Sequence, residues 1–230
     1  MMRRMAMLLL AAILALFSAG CGSSSNDNAN APGTTSAPSP QTSATASHSS
    51  EPSENPATDQ PNTDADQALK DAASTIIELL RDRDLGSLSE WIDPAQGLRF
   101  SPYSHIDTAG SQVFQADQLP EFKDTVKLEW GTADGSGEPI VLTFRDYYEK
   151  YVYNQDFVDA PSVSVNSLVG QGNTAFNAAE VFPGSSFVEF HFPGFDKQYE
   201  GIDWQSLVLV FVPKGEEWKL VSIVHGQWTI

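Results

Sequence analysis

A long segment without large apolar side chains limits where this chain can fold. Residues 22–63 contain no Leu, Ile, Val, Met, Phe, Tyr or Trp. Such a segment cannot bury enough apolar surface to offset the entropy that folding removes. We therefore predict that residues 22–63 form a disordered tether, spanning about 35–40 Å as a flexible coil. Residues 64–230 are then left as a single domain of ordinary size.

The N-terminus has the pattern of a secretory signal. Arg3 and Arg4 precede an uninterrupted apolar run, Met5 to Phe17. A run of this length is too short to span a bilayer, which needs about 20 residues, but it is typical of a signal-peptide core. We predict that residues 1–20 are a signal peptide and that the protein is exported.

The end of this signal resembles the lipobox of bacterial lipoproteins. The residues "SAGC" end at Cys21, the only cysteine in the chain, although Ser18 stands where the family pattern usually has Leu. The resemblance implies a lipid on Cys21 and attachment to the extracytoplasmic face of the cell membrane. A lipidated Cys21 leaves no thiol for a disulfide, a nucleophile or a metal ligand. The alternative is an ordinary cleaved signal with an incidental cysteine.

The chain is strongly acidic, which limits its partners. Its formal net charge is −17, and apart from Arg3 and Arg4 every basic residue lies in the predicted domain. This charge argues against nucleic acid and against an anionic membrane surface as partners. It is also what keeps many exported domains soluble.

Two segments have helical periodicity. Apolar residues recur at helical spacing over residues 64–83, which predicts a first helix, and "LGSLSEWIDPAQG" predicts a short second one that ends by Gly97. A further helix is predicted over residues 143–153, with Thr143 as its N-cap. Its tyrosine-rich face reads either as core or as the lining of a ligand groove.

The rest of the domain has strand-like alternation. Strands are predicted at 98–107, broken at Pro102, and at 126–132 and 138–143, joined by the turn "ADGSG". Three more follow, namely 186–192, 206–213 and the C-terminal "WKLVSIVHGQWTI". In the last pair, Pro213 opposite Trp218 sets a register that also places Phe211 opposite Leu220. It then places Leu209 opposite Ser222, Leu207 opposite Val224 and Ser206 opposite His225.

The first candidate site is on the last three strands. If these strands form a meander in that register, Glu189, His191 and His225 share one sheet face. Such a group suits a zinc site with an open position, general acid–base chemistry or a satisfied polar network. Asp203 and Trp204 lie near the same strand end, as a carbohydrate-type subsite or as a turn with a packed indole.

The second candidate site is on the strand at 98–107. A regular strand would place Arg99, Tyr103 and His105 on one face, with Asp107 orienting the imidazole. This set would suit an anionic or sugar-like ligand, or it is an exposed edge of mixed polar residues. No nucleotide fingerprint and no GxSxG motif is present, so we expect no cofactor and no resident metal and name no catalytic residue.

The order of elements resembles the NTF2-like (SnoaL-like) α+β cone. The resemblance covers 64–230: a long capped helix, a short helical segment ending in "DPAQGLRF", and a strand-rich half ending in "VSIVHGQWTI". "GLRFSPYSHID" and this closing strand also resemble lipoproteins of Gram-positive bacteria. The resemblance implies helices packed on a curved, mainly antiparallel sheet around one apolar pocket. We expect Val208, Val221, Ile223 and tyrosines of the 143–153 helix to line this pocket, with Glu189, His191 and His225 as its polar groups.

The fold alone does not determine the activity. We expect a lipid-anchored module that binds a small or cell-envelope ligand, rather than an enzyme. One alternative is a hydrolase or isomerase with His225 or His105 as general base. Another is a scaffold that forms a homodimer through its apolar sheet face.

Overall fold

The domain is an α+β fold with a mixed six-stranded sheet. The computed structural model describes residues 63–229; the predicted signal peptide, Cys21 and the predicted tether up to residue 62 lie outside them. The helices are α1 (Thr63–Asp82), α2 (Leu85–Ser89), α3 (Phe144–Tyr151) and α4 (Ala178–Val181), and the strands are β1 (Leu98–Ser101), β2 (Val113–Phe114), β3 (Lys127–Thr132), β4 (Pro139–Thr143), β5 (Ser162–Val165), β6 (Ser186–Phe192), β7 (Gln205–Lys214) and β8 (Glu217–Gln227). The large sheet has the order β2-β1-β8-β7-β6-β5, and β3 with β4 forms a separate hairpin. Within the large sheet only β1 and β8 pair in parallel. The predicted α+β class and the mainly antiparallel sheet are confirmed.

Helix α1 buries the apolar face that its periodicity predicts. Leu69, Ala73, Ile76 and Leu80 are each at most 1% exposed and belong to the largest core cluster. The chain leaves the helix at Arg83, which has a positive φ of 57°, and Asp84 then caps α2.

Within residues 63–229, no helix combines the length and the apolarity that a bilayer span requires.

Helix α3 begins with the predicted N-cap. The Thr143 hydroxyl accepts a hydrogen bond from the Asp146 N–H at 3.1 Å, which satisfies one of the free N–H groups of the first turn. The tyrosine-rich face of the helix packs into the core, where Tyr147, Tyr148 and Tyr151 are all buried.

The last three strands form the predicted antiparallel meander, and the β7–β8 register is as predicted near their turn. Pro213 lies opposite Trp218, and Phe211 lies opposite Leu220. The turn between them lies at the predicted "KGEE" segment. Successive side chains of β6 and β7 alternate between the two faces of the sheet, and β8 does so except at Val221.

Beyond this point the predicted register is wrong by one residue because of a β-bulge. Phe211 pairs with Leu220 but Val210 pairs with Ser222, so Val221 has no partner of its own. Leu207 therefore lies opposite His225 rather than Val224, and Gly226 is the residue opposite Ser206. A one-residue shift turns every later side chain of β8 to the other face of the sheet.

The two faces of the sheet form separate cores. Leu207, Leu209 and Ile223 face the helices, whereas Val208 and Val221 are on the opposite face. The pocket that was expected to include Val208, Val221, Ile223 and the α3 tyrosines therefore does not exist as predicted, because the sheet separates its members. The opposite face is covered by the chain itself, through Ile106 and through Ala178 and Phe182 in and beside α4.

Candidate functional site

An open cleft lies between the end of β1 and the β3–β4 hairpin. It has a volume of about 340 Å³. Its lining includes Ser101, Tyr103, His105, Asp107, Ser111, Trp130, Asp134 and Thr174, together with the hairpin glycines Gly131, Gly135 and Gly137. The cleft thus contains three of the polar residues from the second predicted set.

One wall of the cleft follows from the way β1 ends. Pro102 has no N–H for the ladder, and the chain leaves the sheet directly after Ser101. The Ser101 hydroxyl donates to the carbonyl oxygens of Tyr103 at 2.8 Å and His105 at 3.2 Å. These bonds fold residues 102–107 into a compact loop above the sheet.

The second predicted set is brought together by this loop, not by a strand. The expected alternation of Arg99, Tyr103 and His105 along one strand face is wrong, because β1 ends at Ser101. His105 and Asp107 are instead exposed loop residues that line the cleft, and Tyr103 lines it while half-buried.

Arg99 supports the cleft from behind. Its Nη1 donates to the Ser111 hydroxyl at 2.6 Å and to the Thr108 carbonyl at 3.4 Å, while its buried Nε has no partner among the described residues. Burial lowers the pKa of Arg99, and the charge of Asp107 opposes this shift. A guanidinium held by loop atoms in this way fixes the wall and has little freedom to bind a ligand.

A layer of buried polar side chains lies behind Tyr103. Its ring packs edge-on against that of Tyr151 at 6.1 Å, and the Tyr151 ring lies 5.8 Å from the ring of His225. Trp130, another lining residue, stacks on Tyr147 at 3.9 Å. Because Trp130 belongs to the helix-facing core, the cleft borders this core directly.

Three atoms of this layer have no hydrogen-bond partner among residues 63–229. They are the hydroxyl of Tyr147 and both ring nitrogens of His225. Burial raises the pKa of Tyr147 well above its usual value and lowers the pKa of His225 to about 4. Both side chains are therefore neutral at pH 7, and His225 has no solvent-exposed edge.

A second polar cluster lies on the opposite sheet face. The Ser206 hydroxyl donates to Glu189 Oε1 at 2.6 Å and is 2.9 Å from His191 Nδ1. Glu189 also accepts hydrogen bonds from the backbone N–H groups of Val169 and Gly170. Burial lowers the pKa of His191, and the charge of Glu189 opposes this shift. The Glu189 carboxylate thus holds the 167–170 loop to the sheet through these hydrogen bonds.

The serine in this cluster stands between the histidine and the carboxylate. In a nucleophilic triad the histidine takes the middle place, because it must accept the proton of the hydroxyl. Here the Ser206 proton is directed to Glu189, and the Nδ1–H of His191 donates to Ser206. Since all three side chains are at most 5% exposed, the arrangement supports a structural network.

The prediction that Glu189, His191 and His225 share one sheet face is right for the first two residues and wrong for His225. Glu189 and His191 do share one face, but the bulge at Val221 places His225 on the other face. The three residues therefore cannot bind one zinc ion. Within the described part of the chain, no group of three or more potential ligands is arranged to hold a metal.

Asp203 and Trp204 hold loops in place. Asp203 Oδ2 accepts from the N–H groups of Phe195 at 3.0 Å and Asp196 at 2.8 Å. Trp204 is 7% exposed, and a Cβ added at Gly170 would lie 2.5 Å from its ring. The packed-indole alternative therefore describes Trp204 better than a carbohydrate subsite does.

The structure also contains a groove that the sequence analysis missed. It has a volume of about 570 Å³ and lies between α1 and the β7–β8 turn. Its lining residues are Ala68, Asp71, Ala72, Thr75, Glu90, Trp91, Glu216, Glu217, Trp218 and Lys219. Trp91 and Trp218 come together because Ile92 bridges to Leu220 in parallel, and nothing in the local sequence indicates this pairing.

Comparison with known proteins identifies no family for this chain, so its function is inferred from the geometry of these sites. Neither the predicted lipobox nor the α+β domain is accompanied by a match that would name a ligand. No protein-family model matches the chain, and no curated protein sequence matches it.

Proposed function

We propose that the protein is a lipid-anchored module of the extracytoplasmic membrane face that binds a neutral, hydroxyl-rich ligand of the cell envelope. The observation that carries this proposal is the cleft of about 340 Å³ in which Tyr103, His105 and Asp107 meet under the β3–β4 hairpin. Concave sites with a few convergent polar groups are the usual form of small-ligand sites.

The charge of the cleft favours a neutral ligand over an anionic one. Asp107 and Asp134 both line it, and the whole chain has a net charge of −17. The lining contains no Lys or Arg, and Arg99 behind it is engaged with Ser111 and Thr108. Carboxylates, a phenol and an imidazole can donate to and accept from sugar hydroxyls, so a glycan unit fits this lining best.

The domain is proposed to be an NTF2-like cone. Two N-terminal helices followed by a six-stranded, mainly antiparallel sheet with a long β7–β8 pair support this. The cleft is bordered by the end of β1 and the β3–β4 hairpin, and its lining residue Trp130 belongs to the core under the helices. The lipid on Cys21 and the tether remain part of the proposal on sequence grounds alone.

Binding by this cleft is testable with the lipidated protein purified in detergent. Soluble peptidoglycan fragments and neutral oligosaccharides are titrated by calorimetry against the native protein and His105→Ala. Loss of one hydrogen bond costs about 0.5–1.5 kcal/mol, so we expect a Kd about two- to tenfold higher. His48→Ala, in the predicted tether, is the matched control and keeps the native Kd. Binding that His105→Ala leaves unchanged would contradict a site in this cleft.

The enzyme alternative falls on His105, because His225 is fully buried. If His105 is a general base, the same fragments are converted to products, and His105→Ala lowers turnover by about 100-fold or more. Analysis of the titrated fragments by mass spectrometry separates this outcome from binding.

The homodimer alternative was based on an uncovered apolar face of the sheet, and the structure shows this face covered by the chain itself. Sedimentation of the detergent-solubilised protein tests for a dimer directly.

A further inference from the structure

The groove between α1 and the β7–β8 turn shares no lining residue with the proposed ligand cleft. Its floor is formed by the small side chains of α1, including Ala72. Trp91 and Trp218 are both half-buried in its walls. The groove thus exposes parts of two indoles on one side of the domain.

The charges around these indoles are mainly negative. Asp71, Glu90, Glu216 and Glu217 line the groove, and Lys219 is its single cationic lining residue. Lys219 Nζ is paired with Glu217 Oε2 at 3.0 Å and also donates to the Glu90 carbonyl at 3.3 Å. Three carboxylates therefore remain without a cationic partner within the groove.

Indole faces beside carboxylates are suited to organic cations. A cation over a Trp ring gains about 0.5–1 kcal/mol at an exposed site, and each nearby carboxylate adds a further attraction. Among the cation–aromatic contacts of residues 63–229, none involves Trp91 or Trp218. Trp91 and Trp218 pack in part against the helix-facing core, and their exposed parts are available to a cation from outside the domain.

We propose that this groove docks a basic segment of a partner polypeptide, with Lys or Arg side chains over the indoles. The carboxylates are distributed from the third turn of α1, at Asp71, to the β7–β8 turn, at Glu216. Because these carboxylates lie on separate elements around the groove, an extended segment with several basic side chains can pair with more of them than a single cation can. The net charge of −17 would also accelerate the approach of such a partner.

The experiment follows the five tryptophans of the lipidated protein by NMR of their ¹⁵N-labelled indoles. The probe is the peptide acetyl-Lys-Lys-Lys-amide, and the signals are assigned with Trp91→Phe and Trp218→Phe. We expect the Trp91 and Trp218 signals to shift on titration while those of Trp130 and Trp204, in the interior, do not. Unchanged Trp91 and Trp218 signals would overturn the proposal.

Two double variants separate docking from general attraction by net charge. Glu90→Gln/Glu216→Gln removes two charges from the groove and is expected to raise the Kd about fivefold. Glu138→Gln/Glu180→Gln removes two exposed charges elsewhere and is expected to change it by less than twofold. An equal loss in both would overturn the proposal. So would acetyl-lysine amide binding as tightly as the tripeptide, which would indicate a site for one small cation.

Discussion

His225 lies on β8 opposite Leu207, on the face of the sheet that packs against the helices. The sequence marks it as a polar residue within an apolar strand, and the structure puts it at 0% exposure beside Tyr151. Both ring nitrogens lack partners among the described residues. An unpaired buried polar group costs about 1–3 kcal/mol, so His225 lowers the stability of the fold.

The burial of His225 predicts a pH-dependent stability. Its pKa is lowered to about 4 in the folded state from 6.5. The unfolded chain therefore binds the proton first, and stability falls as pH decreases from about 6.5 to 4, by up to roughly 3 kcal/mol. We expect His225→Phe to be more stable than the native protein and to lose less stability in this range. Urea unfolding at pH 7 and pH 5 measures both effects.

His191 is the reason for a control in that experiment. Burial also lowers its pKa, so it contributes a loss of stability with the same sign. The comparison between native protein and His225→Phe cancels this contribution, because His191 is present in both. Identical pH dependence in His225→Phe and the native protein would contradict a buried neutral His225.

At the scale of elements, signals within one segment identify most helices and strands. Features that depend on contacts between distant segments are not predicted from the sequence. Periodicity and capping residues identify α1, α3 and the strands of the C-terminal meander, because these signals lie within each segment. The two-residue β2 and the four-residue β5 were not predicted, since strands this short show no clear alternation. The bulge at Val221 depends on packing against both faces of the sheet, which the strand pattern does not encode.

The cap of α3 gives a prediction at this scale. Thr143 accepts a hydrogen bond from the Asp146 N–H, and Thr143→Ala leaves that donor without its partner. We expect a loss of about 1 kcal/mol in the free energy of unfolding, measured by urea denaturation. Thr75→Ala is the matched control, because the Thr75 hydroxyl bonds to the Asp71 carbonyl on the exposed face of α1. An equal change in both variants would contradict a capping role.

For the whole molecule, the sequence predicts the class of the fold better than its sites. The α+β class, the position of α1 and the meander follow from composition and periodicity. The cleft does not, because it needs the loop after Pro102 to meet the β3–β4 hairpin. The groove of Trp91 and Trp218 likewise depends on a bridge between Ile92 and Leu220, residues that are far apart in the chain.

Residues 64–230 contain 26 Asp and Glu against 11 Lys and Arg, and this net charge of −15 affects the stability of the entire domain. Like charges repel most strongly in the compact state, and this repulsion is weakly screened at 0.01 M salt, where the Debye length is about 30 Å, compared with about 8 Å at 0.15 M. We expect the melting temperature to rise with sodium chloride over this range. The variant Asp117→Asn/Glu138→Gln/Glu180→Gln removes three exposed charges, and its melting temperature should depend less on salt than that of the native protein.

A melting temperature that falls with added salt would mean that attractive ion pairs outweigh the repulsion. The exposed ion pairs of residues 63–229, such as Arg83 with Glu149 at 3.0 Å, are too weak individually to have that effect.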